Sequence, residues 1–151
     1  MIQPAQHQDI SEMLLLLRQL FGIEEDFAFD AEKQRKGLEL LLGSPDAIIM
    51  VAKEDKTVMA MGTAQLVIST AEGGPSLLIE DVVVRPDRQN LGIGARLLQT
   101  LGEWGATKGA RRMQLLADRS NAPARGFYQH AGWQQTQLIC LRKFHRERNN
   151  T

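Results

Sequence analysis

The sequence predicts an α/β fold of the α+β type, in which helices flank a mixed, mostly antiparallel central sheet. Apolar runs at residues 47–53 and 57–69 are separated only by "EDK", a spacing typical of an antiparallel hairpin. Residues 77–118 then place a strand, a helix and a strand in succession, and a crossover through a helix makes its two strands parallel. The length of 151 residues suits a single domain over residues 1–151, with residues 145–151 as a frayed tail.

Two helices are predicted in the first third of the chain. The first covers residues 9–21, where the apolar residues fall on one helical face, namely Ile10, Met13, Leu14, Leu17 and Phe21. Asp9 is its predicted N-cap, and Glu12 stands where its side chain can reach back to that cap. The second helix covers residues 30–42, with Asp30 as the cap.

Strands and two further helices fill most of the remaining chain. The predicted strands are residues 47–53, 57–69, 77–84, 110–118 and 133–144. The third of them, "LLIEDVVV", is apolar enough to be buried on both faces. A helix over residues 91–108 has one apolar face, formed by Ile93, Leu97, Leu98, Leu101 and Trp104. A short helix over residues 122–132 precedes the final strand.

Composition excludes several classes of protein. Lys plus Arg equals Asp plus Glu at 18 each, and no basic stripe stands out, so a nucleic-acid partner is not expected. The basic end "LRKFHRERNN" is typical of a solvated tail. Cys140 is the only cysteine and no metal-ligand spacing occurs, which predicts neither a disulfide nor a metal site. Without a signal-peptide pattern or an apolar run of ~20 residues, we expect a cytoplasmic protein with no membrane partner.

Two glycines at the start of the third helix indicate phosphate binding. The stretch "DRQNLGIGARLL" (residues 87–98) places Gly92 and Gly94 where each costs about 1 kcal/mol of helix stability relative to alanine. The first N–H groups of a helix lack partners and attract anions, and glycine lets a ligand approach them. A Rossmann fingerprint is excluded because Leu97 occupies its third glycine position, and no P-loop string occurs. The alternative is that both glycines only permit close helix–strand packing.

A third pattern remains, Q-x-x-G-x-G, which Gln89, Gly92 and Gly94 satisfy. With the preceding "EDVVVRPD", it resembles the coenzyme-A pyrophosphate loop of the GNAT superfamily of N-acetyltransferases. The segment "NAPARGFYQHAGW" (residues 121–133) is similar to a second motif of that family, N-x-x-A-x-x-F-Y-x-x-x-G-[FW]. The order of elements matches across residues 1–144. The resemblance implies a GNAT-like fold, acetyl-CoA as co-substrate, and a parallel strand pair around an acyl-CoA cleft.

The resemblance also implies which residues bind the cofactor. Backbone N–H groups of residues 89–95 would point at the phosphates, the main chain of residues 82–84 would pair with the pantetheine arm, and Asn121 would contact that arm. The full implied set is Val82, Val83, Val84, Arg88, Gln89, Asn90, Leu91, Gly92, Ile93, Gly94, Ala95, Asn121 and Tyr128. Arg88 and Arg96 either add positive charge beside the phosphates or are simply solvated.

Acetyl transfer to an amine needs a base for the ammonium proton, a stabilised oxyanion and a proton donor for the thiolate. Glu80 and Asp81 interrupt an apolar strand, in which successive residues face opposite sides, so one of them should face the cleft. Burial favours the neutral acid and suits a base, although either carboxylate is equally explained as a structural group. The resemblance favours Glu80 over Asp81 as the base, and a base that acts through a water molecule is the alternative. It implies that Tyr128 donates to the coenzyme-A sulfur; the alternative is a core tyrosine.

The resemblance implies that the acceptor pocket is formed by the segment between the first two helices, here "FGIEEDFAFD" (residues 21–30), and by the last strands. Glu24, Glu25 and Glu80 would attract a cationic amine, and Phe27 would line an apolar pocket; a solvated loop and core packing are the alternatives. The predicted activity is N-acetylation of a primary amine of a small molecule or protein, by direct attack in a ternary complex. The alternative is a non-catalytic acyl-CoA-binding sensor. A homodimer could form through "QLICL" (residues 137–141).

Overall fold

The structure, a computed structural model, describes residues 1–23 and 28–145. They fall into two compact units, which divide after Leu115. The first unit contains β1 (Ile2–Pro4), α1 (Ile10–Ile23), α2 (Ala31–Leu42), β2 (Ala47–Glu54), β3 (Thr57–Ser69), β4 (Gly74–Val84), α3 (Ile93–Thr107) and β5 (Met113–Leu115). The second unit contains α4 (Ala122–His130).

The sheet of the first unit confirms the predicted fold class. Its five strands follow the order β1-β2-β3-β4-β5. The first three pairings are antiparallel, and β4 pairs with β5 in parallel, as the crossover through α3 requires. β1, which the sequence did not predict, adds a short edge strand through pairs such as Gln3 with Val51.

Helices cover both faces of this sheet. On one face, α1 and α2 pack on a cluster of buried side chains, namely Ile10, Met13, Leu14, Leu16, Leu17, Leu38, Ile49, Val51, Val58, Met61 and Val83. On the other face, a Cβ added to Gly62 would lie 2.9 Å from the Leu101 side chain of α3. Because Met61 and Gly62 are adjacent in β3, they face opposite sides of the sheet. β4, which carries the candidate catalytic residues, lies between β3 and β5 in this sheet.

The start of α1 differs from the prediction. Asp9 ends a short 3-10 helix, where its carboxylate accepts a hydrogen bond from the Gln6 N–H (2.8 Å) and pairs with the Lys53 ammonium (2.5 Å). Glu12 does not reach back to Asp9, because its carboxylate accepts from the Val58 N–H (3.2 Å) at the start of β3. The partners Lys53 and Val58 lie far along the chain, so the local pattern could not reveal these contacts of Asp9 and Glu12.

The predicted cap of α2 is confirmed. The Asp30 carboxylate accepts from the backbone N–H groups of Glu32 (3.1 Å) and Lys33 (3.3 Å). We expect Asp30→Ala to lower the free energy of unfolding by about 1 kcal/mol, because two helical N–H groups lose their partner. Urea denaturation measures this. Asp46→Ala, at an exposed turn position, is the matched control and should change the midpoint little; equal midpoints for the two variants would contradict the prediction.

The end of the chain departs most from the predicted elements. The fourth strand is reduced from residues 110–118 to Met113–Leu115, and residues 133–145 contain neither strand nor helix, so the predicted strand at 133–144 is wrong. An apolar run shows what a segment could bury, but a strand also needs a partner strand that the run does not specify. Leu138, Ile139 and Leu141 are exposed. The homodimer through this segment stays a prediction.

Candidate functional site

A β-bulge lies at the two carboxylates of β4. The register with β3 pairs Met61 with Val83 and then Thr63 with Glu80, so that two residues of β4, Asp81 and Val82, stand opposite Gly62. Asp81 has a φ of +55°, a conformation uncommon for residues other than glycine. Bulges of this kind interrupt the alternation of side chains. The alternation used to orient the two carboxylates therefore does not hold at this point of the strand.

A buried threonine holds the bulge. The Thr63 hydroxyl lies 3.1 Å from the Glu80 carbonyl oxygen and 3.3 Å from the Asp81 carboxylate, and it has one proton to donate to either. Asp81 is half-buried, whereas Glu80 is exposed, so the burial expected of Glu80 is not found. Sequence reasoning missed Thr63. Its signal was a hydroxyl residue within residues 58–64 of β3, which are otherwise non-polar.

The edge of β4 that faces β5 is only partly paired. β5 pairs with Leu77–Ile79, and within the described part of the first unit this pairing does not continue along residues 80–84. The Arg85 N–H donates to Met59 on β3 (2.8 Å), so the backbone groups of the preceding residue, Val84, point away from β3. Val83 pairs with β3, and Val82 before it is one of the two bulge residues. An extended ligand could add to this edge as a further strand does.

The helix α3 begins at Ile93, two residues later than predicted, because the preceding loop turns through left-handed conformations. Asn90 has a φ of +64° and Gly92 a φ of +80°. A Cβ at Gly92 would meet nothing within 4 Å, so glycine is required there by conformation. The alternative that Gly92 serves close packing is therefore wrong.

The N-terminus of α3 has no side-chain cap. Its N-cap residue, Gly92, offers none, and the first helical hydrogen bond runs from the Arg96 N–H to the Gly92 carbonyl (3.2 Å). The N–H groups of Ile93, Gly94 and Ala95 precede that bond. Such groups, at the positive end of a helix of 15 residues, suit an anionic ligand.

The positive side chains near this loop are mostly engaged. Arg85 donates twice to the Asp87 carboxylate, at 3.0 and 2.6 Å, and this hydrogen bonding lowers the pKa of Asp87. Arg88 pairs with Glu54 on β2 (3.1 Å) and with Asp87 (3.6 Å). A phosphate contact by Arg88 would therefore compete with two carboxylates. Arg96 is exposed in the first turn of α3.

Two glutamine side chains meet at the end of β4. The Gln89 amide folds back to donate to the Val84 carbonyl (3.1 Å), and the Gln19 amide of α1 donates to the same oxygen (3.0 Å). Asn90 and Leu91 are exposed between Gln89 and α3. Sequence reasoning missed Gln19, because 65 residues separate it from Val84.

The second unit contains the other motif residues. Asn121 caps α4 by accepting from the Ala124 N–H (3.2 Å). The half-buried Tyr128 ring makes edge contacts with Phe127 (5.1 Å between centroids) and Trp133 (6.0 Å). The Trp133 N–H also donates to the Tyr128 carbonyl (3.0 Å). The motif thus builds a capped helix that holds its tyrosine ring by aromatic contacts.

The acceptor residues Glu24, Glu25 and Phe27 lie outside the described residues. Next to that segment, the Arg18 guanidinium of α1 stands 5.8 Å from the centroid of the Phe29 ring. Within residues 1–23 and 28–145, no cluster of three or more His, Cys, Asp or Glu could hold a metal ion. Over the same ranges, no helix combines the length and apolar composition needed to cross a bilayer.

Comparisons with known proteins agree with this architecture. A family model described as "Acetyltransferase (GNAT) family" matches residues 13–133. None of the curated protein sequences matches this chain.

Three solved structures share the fold. Aminoglycoside antibiotic 6'-N-acetyltransferase AAC(6')-IG from Acinetobacter haemolyticus has a TM-score of 0.82 and 18% identity, and the match covers 97% of this chain and 99% of that one. A "predicted acetyltransferase with acetyl-CoA" from Clostridium acetobutylicum has a TM-score of 0.77 and 20% identity, over 94% of this chain and 95% of that one. Glucosamine-6-phosphate N-acetyltransferase from Arabidopsis thaliana has a TM-score of 0.77 and 19% identity, over 96% of this chain and 98% of that one. At these identities the likeness concerns the fold.

Proposed function

The chain belongs to the GNAT acetyltransferase family, and we propose that it transfers an acetyl group from acetyl-CoA to a primary amine in a ternary complex. The observation that carries this proposal is the uncapped N-terminus of α3 at residues 93–95, which follows the partly paired edge of β4 along the chain. A ligand that joins an anionic group to an extended arm would match these two features, the anion at the helix N-terminus and the arm along the strand edge. Coenzyme A is such a ligand, and the Clostridium acetobutylicum protein of the same fold is described with acetyl-CoA.

The cofactor is proposed to lie along β4 and the loop that follows it. The backbone of Val82 and the N–H of Val84 would pair with the amides of the pantetheine arm, because two side-chain amides already occupy the Val84 carbonyl. The N–H groups of residues 93–95 would donate to the pyrophosphate, next to the loop residues Gln89, Asn90 and Leu91. Arg88 remains a candidate contact once it leaves Glu54, and Asn121 is assigned through its match to the family motif.

The chemical step is a direct attack of the amine nitrogen on the thioester carbonyl. The new C–N bond forms as the carbonyl π electrons move to oxygen, and the C–S bond then breaks to release the thiolate. The amine proton goes to Glu80, to Asp81 or to a water between them and the amine, and Tyr128 is assigned the proton or hydrogen bond for the sulfur. The bulge at Asp81, with its φ of +55°, supports this stretch of β4 as functional, because strained backbone clusters at such sites.

The acceptor is proposed to be a primary amine of a small molecule or of a protein. Glu24, Glu25 and Glu80 would attract its ammonium form, and Phe27 would contact its apolar part. Relatives with the same fold are named as acetyltransferases of amino groups on sugars. Those names support the acceptor chemistry, a nitrogen nucleophile, without specifying the acceptor of this chain.

A thiol-release assay tests the proposed function. The purified protein is mixed with acetyl-CoA and a panel of amines that includes amino sugars, polyamines, amino acids and lysine-containing peptides. We expect amine-dependent release of coenzyme A with at least one member, and an acetylated product of matching mass. Calorimetric binding of acetyl-CoA without release for any amine would favour the sensor alternative; absence of binding would overturn both.

The two carboxylates of β4 can be separated by substitution. We expect Glu80→Gln to lower kcat/KM for the amine about tenfold below neutral pH and less at high pH, because free amine needs no base. The affinity for acetyl-CoA should stay unchanged. The pH–rate profile is the measurement, and Glu39→Gln at an exposed position of α2 is the matched control. An unaltered profile would make Glu80 structural and would transfer the test to Asp81→Asn.

A further inference from the structure

One carbonyl oxygen joins three elements of the first unit. The Val84 oxygen accepts from the Gln19 amide of α1 (3.0 Å) and from the Gln89 amide of the loop before α3 (3.1 Å). A backbone carbonyl has two lone pairs, and side-chain donors use both here. This carbonyl stands on the edge of β4 that points away from β3, at the last residue before the loop.

Helix α1 makes a second polar bond to the same region of the sheet. The Glu12 carboxylate accepts from the Val58 N–H (3.2 Å) near the start of β3. Glu12 and Gln19 are seven residues apart and therefore lie on one helical face, with the buried Leu16 between them. Two polar bonds thus fix the register of α1 against the ends of β3 and β4, where apolar packing alone would allow sliding.

We propose that Gln19 is a positioning residue for the cofactor loop, residues 85–92, and this proposal rests on the proposed function. The orientation of the Val84 peptide sets the direction in which the chain leaves β4. Gln19 holds that peptide from α1, and Gln89 holds it from the loop. Together, Gln19 and Gln89 set the direction of the turn that ends at Gly92, and with it the orientation of the N–H groups at the start of α3.

Loss of the Gln19 amide should loosen the loop without unfolding the protein. The Val84 oxygen keeps its bond from Gln89, so no buried acceptor is left without a partner. The peptide between Val84 and Arg85 keeps its bonds to Met59 and Gln89 but loses its bond to α1, and binding of the anion must then restore the lost order. We therefore expect a three- to tenfold rise in the dissociation constant for coenzyme A, roughly the effect of one hydrogen bond.

The experiment compares two variants with a matched control. Gln19→Met keeps the length of the side chain and removes its polar atoms, and Gln19→Glu keeps its shape and removes the donor. Gln99→Met makes the same change in α3, where the amide donates to Glu103 on an exposed surface (3.1 Å). Three quantities are measured: amide hydrogen exchange across residues 85–95 in the free protein, the dissociation constant for coenzyme A by calorimetry, and KM against kcat.

Faster exchange across residues 85–95 in both Gln19 variants, with a raised KM for acetyl-CoA at unchanged kcat, would support the proposal. Unchanged exchange would overturn it, even if both variants were less stable, because the role would then be structural. A fall in kcat at unchanged KM would also overturn it. If the wild-type protein does not bind coenzyme A, the proposed function fails, and hydrogen exchange still decides whether Gln19 positions the loop.

Discussion

Gly94→Glu is expected to raise the dissociation constant for coenzyme A about 100-fold, which corresponds to about 2.7 kcal/mol of binding free energy. Gly94 is the second residue of α3, between two of the N–H groups that precede the first helical hydrogen bond. A carboxylate there lies at the positive end of the helix and takes the place of the ligand's anion. It also repels the pyrophosphate, and its side chain adds bulk where the ligand is proposed to approach the backbone.

The fold should survive this substitution. Acidic residues in the first turn of a helix are stabilising, and glutamate has a higher helix propensity than glycine. Gly37→Glu is the matched control, because Gly37 lies in α2 and a Cβ there would meet nothing within 4 Å. We expect the control to bind coenzyme A as the wild type does. Calorimetry and thermal unfolding of both variants separate lost binding from lost folding; unchanged affinity in Gly94→Glu would refute the loop assignment.

The sequence alone predicted most of the sheet and the helices because their signals are local. The apolar periodicity of α1 and α3, the Asp30 cap and the short turn before β3 each involve residues close along the chain. The parallel pairing of β4 with β5 followed from the general rule for crossovers. The sequence showed a glycine at the start of α3, but only the structure showed that its left-handed conformation is the reason for it.

Features of the candidate site that depend on distant partners could not be predicted. The ion pair of Arg88 with Glu54 joins residues 34 positions apart, and the bond from Gln19 to Val84 joins residues 65 positions apart. The bulge at Asp81 interrupts the alternation of side-chain directions that a regular strand over "LLIEDVVV" would have. The rule of strand alternation was therefore used to orient Glu80 and Asp81 at the bulge, where it does not hold.

Tyr128→Phe is expected to lower kcat about 100-fold with little change in KM for either substrate. General-acid groups contribute roughly 100- to 10,000-fold, and a thiolate leaves readily without full protonation, so the low end applies. The loss concerns an interaction made mainly in the transition state, which lowers kcat and kcat/KM together. The ring contacts with Phe127 and Trp133 need no hydroxyl, so the packing of α4 should survive.

Trp133→Phe is the control that separates the hydroxyl from the ring. It changes an aromatic neighbour of Tyr128 and keeps the phenol, so any kinetic effect of loosened ring packing would appear there. Tyr128 is the only tyrosine of the chain, so the absorbance of tyrosinate at high pH reports on this residue alone, with and without bound coenzyme A. A rise in KM for acetyl-CoA at constant kcat would make the hydroxyl a ground-state contact. Unchanged kinetics with lower thermal stability would make Tyr128 a structural residue, and another group would then have to stabilise the departing thiolate.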